Sequence, residues 1–225
     1  MTRGARLAAA ALVASGLFAG AARAEPVPVD RAVVRFAARE IGGTAAPRFV
    51  YERELAFEAR LEALSEGDQH EGDPPYRARH VRAALERHVT ETVLEGIGMT
   101  PAPTEPEIAA RMDQARLSLI ERVGGLVPLV DAARAEGIGD SEVTRLVRRE
   151  ALASFYLDRV VAPMLDPSDA ELRALHRTER TPFSGRPYDE VSASLRRWYV
   201  SVRLGASLSS FYDGLRARLS LTMLR

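Results

Sequence analysis

Cysteine is absent from this 225-residue chain, and so is lysine. Without cysteine there are no disulfides, thiolate nucleophiles, Cys-ligated zinc sites, iron–sulfur clusters or lipid-modified N-terminal cysteine. Without lysine there is no Schiff base and no ammonium to clamp a phosphate. All 31 basic residues are arginine, and they face 31 acids, so the formal charge is zero. That balance leaves no electrostatic footprint of a nucleic-acid binder. Aromatics are 6% of the chain, with a single tryptophan. Also missing are His-Glu-x-x-His, Gly-x-Ser-x-Gly, a phosphate-binding loop and a dinucleotide fingerprint. The Gly42-Gly43 and Gly124-Gly125 pairs lack the spacing those loops need. What remains is 46% hydrophobic and 28% charged, an ordinary globular composition. A domain of about 150 residues already hides roughly 70% of its unfolded surface, so packing alone can hold such a chain together.

One apolar stretch opens the chain, and no second long one follows it. Arg3 and Arg6 form a positive start, Leu7 to Ala22 carry no charge, and Ala22-Arg23-Ala24 is a small-x-small pattern. These are the parts of an export signal, residues 1–24, cleaved after Ala24. An uncleaved anchor or an amphipathic helix is the competing reading, but the run is short and alanine-rich for a membrane span. Removal of Arg3, Arg6 and Arg23 leaves the rest three charges acidic. The expected product is a periplasmic protein with no stable membrane insertion.

The mature chain reads as helices between two short strands, a mainly α fold. Ala32-Val-Val-Arg-Phe36 has β-branched strand character. Tyr51 to Leu64 is helical in composition. Over Tyr76 to Glu95, the residues Val81, Leu85, His88, Val89, Thr92 and Val93 share one helical face. Thr104-Glu-Pro-Glu107 and Ser168-Asp-Ala-Glu171 are capping boxes. Leu126 to Ala135 is a short helix, and Asp140 is the expected cap of the next, which Pro163 and Pro167 should end. Tyr188 to Arg218 forms one long helix or two joined ones. Leu219-Ser-Leu221-Thr-Met223 alternates with a strand period. Antiparallel pairing of the first and last strands would tie the two ends together.

The polar residues read first as solvated. His80 and His88 lie eight apart on one helix, too far to share a metal unaided. His88 is expected at the edge of the core stripe and His80 in solvent. His176 belongs at a helix C-terminus, where the dipole favours it. Glu58 with Glu62, and Glu107 with Arg111, are ordinary helix-face spacings. Arg148-Arg149 and Arg196-Arg197 read as solvated faces. No metal or cofactor is expected. The aromatics are more suggestive. Each of Phe155-Tyr156, Trp198-Tyr199 and Phe211-Tyr212 must send its two rings about 100° apart on a helix. One ring can enter the core while the other lines a groove for extended segments of other proteins. Partial burial of both rings is the alternative.

Several of these features, in order, resemble the N-terminal domain of SurA-type periplasmic chaperones. They are the exported start, the strand Ala32 to Phe36, the stretch Phe49 to Leu61, the helix Val81 to Ile97, Pro103 to Met112, Pro167 to His176, and Tyr188 to Leu221. In that family a parvulin-type prolyl isomerase module follows the helix that resembles Pro167 to His176. Here only the eleven residues 177–187 separate His176 from Tyr188, whereas such a module needs on the order of a hundred. The resemblance therefore implies one domain over residues 25–225, with subparts 25–165 and 166–225 and no isomerase centre. It implies a non-enzymatic chaperone for unfolded or outer-membrane-bound polypeptides, working without nucleotide. Phe183, Tyr188, Trp198, Tyr199 and Tyr212 are the expected groove residues, because they lie near the shortened connection. A scaffold or adaptor for one dedicated envelope partner is the second reading. A secreted hydrolase using facing carboxylates is the third.

Overall fold

The computed structural model describes residues 30–38, 46–68, 72, 74–178, 180–218 and 220–224. Side chains at 211, 212 and 215–218 lie outside this description, as do residues 1–24, expected to be an export signal, and His70. The fold is mainly helical with one small antiparallel sheet, as the sequence predicts.

Three strands form the sheet in the order β2-β1-β3: β1 Ala32–Ala37, β2 Arg48–Tyr51 and β3 Ser220–Met223. The first and last strands pair antiparallel, with Val34 opposite Met223 and Phe36 opposite Leu221. The first and last strands are thus tied together as expected. Strand β2 is a correction: the sequence predicts no strand before the helical stretch from Tyr51, and Tyr51 itself ends the strand. Phe49-Val50-Tyr51 are aromatic and β-branched, and they suit a pleated surface better than a first helical turn. Val50 is fully buried opposite Val34. A four-residue strand is too short for its alternation to stand out from a neighbouring helix.

The helices are α1 Glu52–Glu66, α2 Ala78–Gly96, α3 Glu105–Arg122, α4 Leu126–Ala135 and α5 Asp140–Tyr156. Helix α1 stops where Gly67 adopts φ 64, and the Gly67 and Asp68 amides donate to the carbonyls of Leu64 and Ala63. That is a Schellman stop, which needs a left-handed residue and hence glycine. The capping box of Thr104 and Glu107 opens α3 as predicted, at 2.8 Å from the Thr104 amide to the Glu107 carboxylate. Asp140 does not cap α5. Gly139 takes that place, and its amide donates to the Glu142 carboxylate at 2.8 Å. Of the two expected prolines, Pro163 does not end the helix, which stops before Pro167. A π turn, Leu157–Val161, and the single turn α6, Ala162–Met164, carry the chain past Pro163. The wider π turn takes up the register around a residue with no N–H to donate.

Ser168 and Glu171 cap α7, Asp169–Thr178, and Tyr188–Arg218 is one helix, α8. At 1.5 Å per residue α8 runs about 46 Å. It carries the chain back to β3.

Helix α1 is the shared wall of two cores. Phe57 and Leu61 pack with Leu119 of α3, Leu129 of α4 and Ala151 of α5. Leu55 and Ala59 pack with Val34, Phe36 and Val50 of the sheet and Val89 and Val93 of α2. Each such side chain stabilises the fold by roughly 1.5–3 kcal/mol when fully buried. A third cluster joins Leu172 and Leu175 of α7 to Leu195 of α8. Among the described residues no helix is long and apolar enough to cross a membrane.

Candidate functional site

An open cleft of about 480 Å³ lies between β2 and the first half of α5. Phe49 and Tyr51 of β2 form one wall, with Ile138 and Leu146 opposite and Phe57 of α1 beneath. Phe49 and Tyr51 are 44% and 42% exposed, unusual for large aromatics with a core so near. The strand places them there because Val50 takes the inward position between them.

A buried ionic cluster forms the polar floor. Arg149 of α5, only 7% exposed, donates from Nη2 to Glu58 Oε1 at 2.7 Å and from Nε to Glu91 Oε2 at 3.1 Å. Its Nη1 reaches Glu54 Oε1 at 3.5 Å. His88 Nδ1 lies 2.9 Å from the same Glu58 oxygen. A carboxylate can only accept there, so Nδ1 carries the proton. Burial alone would raise the Glu58 pKa, but Arg149 and His88 outweigh it and hold the carboxyl at about 2. Glu91 behaves oppositely. Burial pushes it up to about 7, Arg149 offsets only part of that, and the negative charge of Glu58 adds to it. Burial works against the charge on Arg149, yet Glu58 and Glu91 more than restore it and raise its pKa.

Several sequence expectations are corrected at this point. Arg149 is no solvated arginine, although Arg148 beside it keeps to the surface. Glu58 and Glu62 are both buried rather than on an ordinary exposed face. Glu107 does not pair along its own helix with Arg111. It bonds Thr104 and Arg159, while Arg111 pairs with Asp158. His88 is in the core stripe as expected, but His80 is wholly buried instead of solvated. His80 sits at the third position of α2, where its Nδ1 accepts from the Arg77 amide at 3.0 Å. The ring thereby caps a helix whose start lacks Ser, Thr, Asp or Asn. His176 does lie in the last turn of its helix, where Nε2 donates to the Arg186 carbonyl at 2.9 Å.

Among the described residues, two groups could each aim three metal-ligating atoms at one point: Glu54, Glu58 and His88, and Glu66, Asp68 and His80. Neither fits a metal ion well. In the first, the Arg149 guanidinium already supplies the positive charge against the carboxylates. In the second, Nδ1 of His80 accepts a backbone N–H, and the Arg79 guanidinium donates to both His80 Nε2 and Asp68, so its positive charge already occupies the ligand atoms. Both groups are ionic cross-links. The guanidinium also fills the space between the Glu58 and Glu91 carboxylates, which leaves no room for a substrate bond between that pair.

Four of the expected groove residues come together, but away from the cleft. Phe183, Tyr188, Trp198 and Tyr199 are half-buried around Leu172, Leu175 and Leu195. Arg173 lies 4.5 Å over the Tyr188 ring, and His176 meets that ring edge-on with centroids 5.7 Å apart. The Tyr199 hydroxyl accepts from Arg203 at 2.7 Å. Trp198 and Tyr199 follow the alternative in which both rings of the pair are partly buried. None of the four lines the cleft beside β2. The Tyr212 side chain lies outside the described residues. Sequence reasoning missed Phe49, Tyr51, Leu146 and Arg149. The signal for the first two was the aromatic, β-branched, aromatic triplet after Pro47. No protein-family profile, curated protein or solved structure matches the chain.

Proposed function

We propose that the protein is an exported, periplasmic, chaperone-like protein that holds extended segments of unfolded or envelope polypeptides and catalyses no reaction. The observation that carries this reading is the open cleft along β2, walled by half-exposed Phe49 and Tyr51 and facing the apolar Leu146 and Ile138. The lining sets these apolar side chains beside charged ones such as Arg48, Glu95 and Arg145, and concave sites that combine apolar walls with polar groups are the usual form of binding sites. The ionic floor is fully engaged with itself, so it braces the cleft rather than attacking a ligand. Shape and apolar area would give the affinity, without nucleotide and with loose sequence preference. The order of caps and strands that resembles SurA-type chaperones supports the same reading, as does the export signal.

Titration of the purified protein against several unrelated, chemically unfolded polypeptides tests it. Anisotropy of labelled clients should show saturable binding to more than one of them. A single tight partner would favour the dedicated scaffold instead. No binding to any client would overturn the proposal.

A further inference from the structure

We propose that a second site, a crevice under α8, binds a small aliphatic amine, with its tail between three helices and its cationic head among carboxylates. The site is separate from the cleft beside β2 and does not rest on the chaperone-like reading. The crevice measures about 520 Å³ and lies between α2, the end of α5 and α8. It exists because α8 leans on the helices beneath without closing against them. Of residues 201–210, only Leu204, Ser207 and Leu208 are half-buried, three and four apart on one helical face, and the others are exposed. Leu94 of α2, Ala153 of α5, Leu157 at the start of the π turn and Leu208 of α8 give the crevice its apolar lining.

The walls decide between a tail and a peptide. They are helices, whose backbone groups bond within themselves, so an extended peptide would carry its amides into a place without partners. A hydrocarbon chain has no such groups to lose.

Charge selects the head. The charged residues of the lining are Glu86, Glu91 and Glu150 against Arg87 alone. Pairing does not reverse the sign. Arg87 is committed to Glu62 at 2.9 Å, and Arg122 reaches Glu150 at 3.7 Å. Arg149 joins Glu91 to Glu58 and Glu54. Glu86 is half-buried and has no ion pair among the described residues, not even with Arg82 one turn before it. The carboxylates at 54, 58, 62, 86, 91 and 150 thus face the guanidinium groups at 87, 122 and 149, and His88 narrows that excess without removing it. Of the Glu91 oxygens only Oε2 is bonded, to Arg149. Burial, with Glu58 and Glu150 adding to it, raises the Glu91 pKa to about 7 even against Arg149, as expected where positive charge is short. A single ammonium between Glu86 and Glu91 supplies it.

The test titrates the purified protein by calorimetry with decylamine, decan-1-ol, decanoate and butylamine, all below micelle-forming concentrations. Decylamine should bind at least tenfold more tightly than decan-1-ol or decanoate. It should bind at least a hundredfold more tightly than butylamine, since each buried methylene is worth about fourfold in affinity. Glu86→Gln breaks no ion pair and should weaken decylamine at least fivefold while leaving decan-1-ol unchanged. Leu208→Ser should weaken both alike. Equal binding of decylamine, decan-1-ol and decanoate to the unaltered protein overturns the proposal, whether or not the variants fold, and so does no binding of decylamine. Decylamine binding that neither substitution changes lies elsewhere and overturns the site. Displacement of decylamine by an octapeptide alternating leucine and arginine would make the occupant a polypeptide. A dimer by light scattering that decylamine disperses would make it a second copy of the chain. Either result overturns the amine.

Discussion

Arg149 and Glu58 meet at 2.7 Å in the middle of the protein, with side chains only 7% and 5% exposed. The contact joins α5 to α1, the helix that both larger cores share. It also sets the distance between the β2 side of the cleft and its α5 wall. Replacing the arginine leaves Glu58 and Glu54 facing each other without a counter-charge. Arg149→Met should therefore destabilise the fold by about 3–5 kcal/mol, the usual cost of orphaning a buried charge. Urea unfolding measures it. Arg148→Ala, which loses a 3.4 Å contact to an exposed Glu105, should stay within about 0.5 kcal/mol.

The same cluster makes stability depend on pH in two opposite directions. Glu91 is raised to about 7 in the folded state, from 4.5. Between those values the folded form holds more protons than the unfolded form, so this group's contribution is full below pH 4.5 and is lost as pH rises through 7. Glu58, lowered to about 2, contributes fully above pH 4.5 and loses that contribution as pH falls toward 2. Glu91→Gln should flatten the decline between pH 4.5 and 7. Urea midpoints of both proteins across pH 4–8 check this, and an unchanged slope would refute it.

The two capping boxes should act alike. Hydrogen bonds from Thr104 and Ser168 hold the Glu107 and Glu171 carboxyls below their usual range. Thr104→Ala or Ser168→Ala should each lower Tm by about 2–4 °C, read by circular dichroism.

Leu195 is fully buried between α7 and α8, in the smallest of the three clusters. Leu195→Ala should cost about 2–5 kcal/mol by leaving a cavity. Trp198→Ala with Tyr199→Ala removes rings from the same cluster, which lies away from the cleft. Client binding should survive that pair in any preparation that folds, as fluorescence anisotropy would report.

What could be read from the sequence is what the chain settles locally. The starts at Thr104 and Ser168 and the pairing of the end strands each need only a few neighbouring residues. The β3 alternation was legible, yet Leu221 and Met223 remain 38% and 61% exposed, because burial depends on what packs beneath an edge strand. Arg149 looked like its neighbour Arg148, since nothing within a helical turn reveals three carboxylates arriving from α1 and α2. His88 left a trace, because a polar residue on an apolar stripe requires a buried partner. His80 left none, because its partners are the backbone of its own helix start, its neighbour Arg79, and Glu66 and Asp68 at the end of α1. Phe183, Tyr188, Trp198 and Tyr199 do cluster, but Phe49 and Tyr51, which line the open cleft, come from a strand too short to announce itself.

The most direct measurement is amide hydrogen exchange with and without a saturating unfolded polypeptide. Binding in the cleft predicts new protection at Phe49 and Tyr51 and along the first half of α5, with the α7–α8 cluster unchanged. Protection confined to α7 and α8, or none at β2, would contradict it.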